Sequence, residues 1–116
     1  IISGNDDEGV SLEGNNNETG GIYSIADPIV NACLPPLTWQ TYDVEFTAGK
    51  FSADGMVEQN PRITVHLNGV LVQDNVELPK TTTAAPIGKI SPEPGPIHLQ
   101  SHGNPVFYRN IWIVEK

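Results

Sequence analysis

Apolar and polar side chains alternate with a spacing of two along much of this chain, and the three-to-four spacing of an amphipathic helix does not recur. Strands must therefore supply the core. Residues 41–46 place Tyr42, Val44 and Phe46 on one face and Thr41, Asp43 and Glu45 on the other. Residues 63–67 set Ile63, Val65 and Leu67 against Thr64, His66 and Asn68. The Asn68-Gly69 pair that follows predicts a two-residue hairpin turn, because both residues tolerate positive φ, and residues 70–72 should pair back antiparallel. Residues 97–102 alternate Ile97, Leu99 and Ser101 with His98, Gln100 and His102. Residues 107–114 are rich in aromatic and β-branched side chains but alternate poorly, as a central strand covered on both sides would. Shorter strand candidates are residues 9–13 and 20–25, joined by a polar turn over 14–19.

The remaining segments read as loops. Residues 26–37 carry three prolines and should form an ordered surface crossing, and residues 79–96 combine five prolines with a Thr-Thr-Thr-Ala-Ala run. Gly 11 and Pro 10 out of 116 residues, with 17% charged, suit one turn-rich domain over residues 1–116. An antiparallel β-sandwich is the economical packing for many short strands.

Net charge changes the list of partners. At −8 the chain repels phosphates and anionic headgroups, which argues against nucleic acid and against a membrane surface and favours neutral or cationic ligands. No run reaches the ~18 apolar residues of a membrane span. Five acids lie within the first eighteen residues without a Lys or Arg among them, and they lack the regular spacing of a calcium loop. Cys33 is the sole cysteine, so no intrachain disulfide forms, and it reads as a buried structural thiol. The N-terminus has no basic-then-apolar signal pattern, so an export signal is expected to have been removed or to lie outside this sequence.

Three stretches carry a family resemblance: GGIYSIADPIVNACLPPLTWQTYDVEF at 20–46, ITVHLNGVLVQDNVEL at 63–78 and GPIHLQSHGNPVFYRNIWI at 95–113. In order and spacing they resemble the 3-keto-disaccharide hydrolase family, a domain common in exported bacterial proteins. The resemblance implies an all-β, concanavalin-like antiparallel sandwich, or jelly roll, that is N-terminally incomplete here and forms the C-terminal part of a longer family domain. It also implies an extracellular or periplasmic setting. Two departures are His66, where the family tends to have Trp, and Tyr108, where it tends to have Phe.

The implied function is hydrolysis or β-elimination at the glycosidic bond of a 3-keto-glycoside. A ketone at C3 acidifies the C2 proton, so the site needs a base, an enolate stabiliser and a sugar platform. His102 is the candidate base, since imidazole titrates near working pH, against a turn histidine bonded to backbone. Arg109 is the candidate enolate stabiliser, against an ion pair that holds strands together. Gln100 completes the catalytic set; His98 and Gln100 share a strand face with His102, and His66 joins them if the strands are neighbours. Trp39 is the candidate sugar platform, against core packing, and Trp112 reads as core or interface. With His66 and His98 it makes the substrate-binding set. The three histidines bring a divalent metal into consideration, although their spacing matches no metal motif. The rival from another class is a non-catalytic glycan-binding or structural module that self-associates or accepts a strand from another chain.

Overall fold

A computed structural model describes residues 14–15, 18–82, 90–99, 103 and 105–116. Five strands form among them: β1 (Tyr42–Thr47), β2 (Lys50–Phe51), β3 (Val57–Gln59), β4 (Arg62–Leu67) and β5 (Val70–Glu77). All pairing is antiparallel, in a three-stranded sheet of order β1-β4-β5 and a two-stranded ribbon of β2 and β3, and no helix occurs among the described residues. The all-β antiparallel class expected from the alternation is the class observed.

The Asn68-Gly69 turn joins β4 to β5 with φ of 54° and 79°, the left-handed pair that a two-residue hairpin requires. Asn68 then reaches beyond the turn. Its backbone N–H donates to Thr41 O at 2.9 Å, and its side-chain oxygen accepts from Thr41 N at 3.0 Å. Its Nδ2 donates to Ala32 O at 2.8 Å and to Gln40 Oε1 at 3.0 Å. One amide thus ties the hairpin tip to the start of β1 and to the preceding loop.

The core is small. Leu67, Val72 and Val65 are buried, and Val30, Ala32 and Ile63 pack against them. β5 carries two extra residues relative to β4. Ile63 faces Val76, Val65 faces Gln73 and His66 faces Leu71, so one bulge falls at Val72–Gln73 and the other at Asp74–Asn75. The first lets consecutive residues, Val72 and Gln73, both be buried. The Nε2 of Gln73 is satisfied there, since it donates to Gly20 O at 2.8 Å and Asp27 O at 3.2 Å, which fastens the 18–32 crossing over the sheet. At the second bulge Asn75 takes φ 49°; its N–H donates to Thr64 Oγ1, and its side-chain oxygen accepts from Arg62 Nε at 2.8 Å. Gly20 lies against Leu67, Pro28 and Val72 with φ 91°, where a Cβ would be strained.

Several expectations need correction. Residues 20–25 do not form a strand: Ile25 and Ala26 both donate to Ile22 O, and Ser24 has φ 54°, so this stretch is a tight turn closed by an isolated Ile22–Ala26 bridge. Residues 97–99 make no strand, and residues 9–13 and 100–102 lie outside the described residues. Residues 107–114 are not a central strand. They have no ladder partner among the described residues, and Phe107, Ile111, Trp112, Ile113 and Val114 are exposed. Trp112 is accordingly not core. Cys33 is half-buried; it accepts from Gln40 Nε2 at 3.6 Å and donates to Leu34 O at 3.3 Å.

Replacing Asn68 by glycine separates backbone conformation from side-chain bonding, because glycine accepts the positive φ but removes the amide. We expect Asn68→Gly to destabilise by about 1–3 kcal/mol, the usual cost of leaving part-buried partners unsatisfied. Chemical denaturation checks this, and a change within a few tenths of a kcal/mol would show that the amide's bonds contribute little.

Candidate functional site

Register places the polar face of the sheet. Asp43 faces His66, Glu45 faces Thr64 and Thr47 faces Arg62 across β1 and β4. Directly opposed residues in an antiparallel pair hold their Cβ atoms ~4.5–5.5 Å apart, so His66 has a carboxylate-bearing residue as its cross-strand neighbour. Arg62 is engaged at the far end, with Nη1 3.3 Å from Glu77 Oε2 and further bonds to Asn75.

The C-terminal segment crosses to this region from the other end of the chain. The Arg109 guanidinium carbon lies 3.8 Å from the Trp39 ring centroid, a cation–π stack just before β1 begins. Six residues along from Trp39, Glu45 Oε1 accepts from Lys116 Nζ at 3.2 Å, and Lys116 is seven residues along from Arg109. The segment therefore runs in the same direction as β1, held by side chains at both ends. Trp39 is 51% exposed, so it is not the core residue that the competing reading offered. Nor does Arg109 pair with a carboxylate among the described residues.

The structure thus brings together Trp39 and Arg109 from the candidate set. His66 sits half-buried on β4. His98 is exposed on the irregular 90–99 segment. Gln100 and His102 lie outside the described residues. Among the described residues no group of three or more His, Cys, Asp and Glu side chains comes together to hold a metal ion. No helix among them is long and apolar enough to cross a membrane. Asp43, the cross-strand neighbour of His66, was not singled out by sequence reasoning; the alternation of β1 and β4 already put both on polar faces, and only the pairing register was missing.

Tyr42 reaches the crossing loop at Gly20. Desolvation of its phenol by burial raises its pKa above the ordinary 10.0; a hydrogen bond with the Gly20 backbone pulls it down, and the nearby Cys33 thiol pushes it up again. About half of the residue's surface stays open all the same.

The chain matches, over residues 2–114, the family model described as a 3-keto-alpha-glucoside-1,2-lyase-like domain. A crystal structure from Parabacteroides distasonis ATCC 8503, described as that of "a putative glycosyl hydrolase", is similar with 33% identity and a TM-score of 0.59. The similarity covers 68% of this chain and 34% of that one, so this chain spans only about a third of that relative's length. A search of curated proteins gives no match.

The raised Tyr42 phenol has a signed consequence. A group whose folded pKa lies above its unfolded value contributes stability that is fully present below the unfolded value, here 10.0, and is lost as pH rises through the folded one. Alkaline unfolding should therefore be promoted above about pH 10 and blunted in Tyr42→Phe. Denaturation midpoints measured across that range test it, and equal alkaline sensitivity in the two proteins would remove Tyr42 as the cause.

Proposed function

The chain belongs to the 3-keto-alpha-glucoside-1,2-lyase-like domain family, and from that premise we propose that it is a carbohydrate-active domain that acts on glycosides carrying a ketone at sugar carbon 3. The observation that supports this best is the Trp39–Arg109 stack. A half-exposed indole offers the flat apolar surface on which the C–H face of a sugar ring rests. The Arg109 guanidinium lies over one face of that indole, so the opposite face is the one left for the sugar, and the N–H donors that reach past the indole edge are the ones available to grip hydroxyls or a developing oxyanion.

The proposed reaction is an elimination followed by addition. A base takes the C2 proton, which the C3 ketone has acidified, and the electron pair passes into an enolate whose charge Arg109 offsets. The enolate then expels the C1 oxygen substituent, which leaves with a proton from an acid in the site, and a C1=C2 double bond forms. Water adds at C1, its oxygen taking the anomeric position and its proton returning to C2, so the net change is hydrolysis. His102 is proposed as the base and Gln100 as a hydrogen-bond partner of the sugar. His66, with Asp43 opposite, is proposed to bind hydroxyls further along the sheet face.

The second reading is a glycan-binding module without catalysis, and the same stack favours it, since an aromatic platform beside a cation is all that such a module needs. The two separate in deuterium exchange at C2 of a 3-keto-glucoside. If the catalytic reading holds, His102→Ala slows exchange by about 10²–10⁴, the usual worth of a general base, and leaves sugar affinity within a few-fold. Trp39→Ala should instead weaken binding by roughly tenfold, as loss of an aromatic platform does. Absence of exchange in the unaltered protein, with sugar binding retained, would establish the binding module.

A further inference from the structure

Asn68-Gly69 is the only Asn-Gly pair in the chain. An asparagine followed by glycine is chemically among the least stable side chains of a polypeptide, because glycine has no side chain to keep its backbone nitrogen away from the amide carbon. The surroundings add no hindrance: Gly69 is exposed, and apart from its chain neighbours no atom of the described residues lies within 4 Å of where a Cβ would stand on it. What opposes the reaction is the amide's own set of bonds. Its oxygen accepts from Thr41 N at 3.0 Å, and its Nδ2 donates to Ala32 O at 2.8 Å and Gln40 Oε1 at 3.0 Å. The backbone is committed too, with φ of 54° and the N–H donating to Thr41 O at 2.9 Å. Held at both ends, the amide cannot turn its carbon onto the Gly69 nitrogen while the hairpin tip is docked.

We propose that Asn68 is a modification site, a latch that deamidates only when the hairpin tip leaves Ala32, Gln40 and Thr41, and that does not close again afterwards. In the undocked tip the Gly69 nitrogen attacks Asn68 Cγ. The N–Cγ bond of a cyclic imide forms, the Cγ–Nδ2 bond breaks, and the Gly69 amide proton departs with Nδ2 as ammonia. Water then adds to either ring carbonyl. Opening at the side-chain carbonyl gives aspartate, and opening at the backbone carbonyl gives isoaspartate, with the main chain routed through the former side chain. Nothing is oxidised or reduced, and water is the sole co-reactant.

Neither product fits where the amide sat. Aspartate has no donor for Ala32 O or Gln40 Oε1 and sets a negative charge against both oxygens, so those ties become repulsive contacts. Isoaspartate adds a methylene to the main chain of a turn whose flanking residues, Leu67 and Val70, are paired directly across it. Gln40 loses a partner in either case. The same Gln40 oxygen accepts from Leu34 N, and Trp39 is the preceding residue, so the change at the tip is passed to the approach to β1. The modification stands whatever the chain binds, since no step of it involves a ligand.

The test incubates the 116-residue chain in mildly alkaline buffer and locates deamidation by peptide mapping and mass spectrometry, in the native protein, in urea and in two variants. Gln40→Ala removes one tie of the Asn68 amide, whereas Val72→Ala loosens the core and leaves every tie in place. Conversion at Asn68 is expected to be at least about tenfold slower in the native protein than in urea. With the variants brought to equal stability by choice of temperature, Gln40→Ala should convert about two- to tenfold faster than Val72→Ala, the effect of one net hydrogen bond on the docking equilibrium. Converted protein, separated from unconverted, should show displaced Leu34 and Thr41 amide and Trp39 indole resonances while the β4–β5 ladder stays formed. Native conversion as fast as in urea, no conversion in urea, equal rates in the two variants, or undisplaced resonances after conversion would overturn the proposal. The comparison with urea and the resonances of the converted protein need no variant, so they decide the matter even where Gln40→Ala does not fold.

Discussion

The arrangement depends on one side chain, the amide of Asn68. A two-residue hairpin turn asks only for positive φ, which glycine supplies more cheaply. Asparagine at this position adds an acceptor and two donors, and all are used: Thr41 N donates to its oxygen, while its Nδ2 serves Ala32 O and Gln40 Oε1. Gln40 in turn accepts from Leu34 N at 2.8 Å and donates to the Cys33 thiol. A turn residue thereby fixes where the crossing loop ends and where β1 begins. Trp39 stands one residue before Gln40, so the candidate sugar platform is positioned by the tip of a hairpin distant from it in sequence. The core cluster among the described residues, Val65, Leu67 and Val72, includes no sequence neighbour of Trp39, so the hydrogen bonds of Asn68 and Gln40 are the ties that set its position.

Much of the sheet was legible from alternation. β1, β4 and the turn after β4 follow directly from a period of two and an Asn-Gly pair; the division of β4 holds, with Val65 and Leu67 buried, whereas all of β1 is exposed. β5 was seen too short. Its two bulges break the alternation after Val72, and the first of them buries Gln73, which is bonded to Gly20 and Asp27. The β2–β3 ribbon went unread because its strands are two and three residues long, with the turn at Ser52–Met56 as their main local tie.

The C-terminal run shows a different limit. Composition registers that residues 107–114 favour extended backbone, but pairing is a property of neighbours, and no local signal states whether a neighbour is present. The candidate site divides along the same line. Trp39 and Arg109 were each singled out for their chemistry, one as a platform and the other as a cation, and what sequence could not supply was that seventy residues of intervening chain fold so as to stack one on the other. The competing roles for both, core packing and a carboxylate pair, were equally consistent with residue type and were decided by position.

Pairing and chemistry meet in the same stretch of backbone. Arg109 belongs to a segment that joins no ladder among the described residues, and its partner Trp39 stands just before β1. A cation–π contact at a half-exposed site contributes about 0.5–1 kcal/mol, which is comparable to thermal energy and too little to hold a guanidinium at fixed distance from a reacting atom. Electrostatic stabilisation of an enolate needs donors that are in place before charge develops, and an arginine that samples several positions spends part of its effect on being ordered. The two tethers at Trp39 and Glu45 set the segment's direction, while backbone hydrogen bonds would be required to set its height over the sheet.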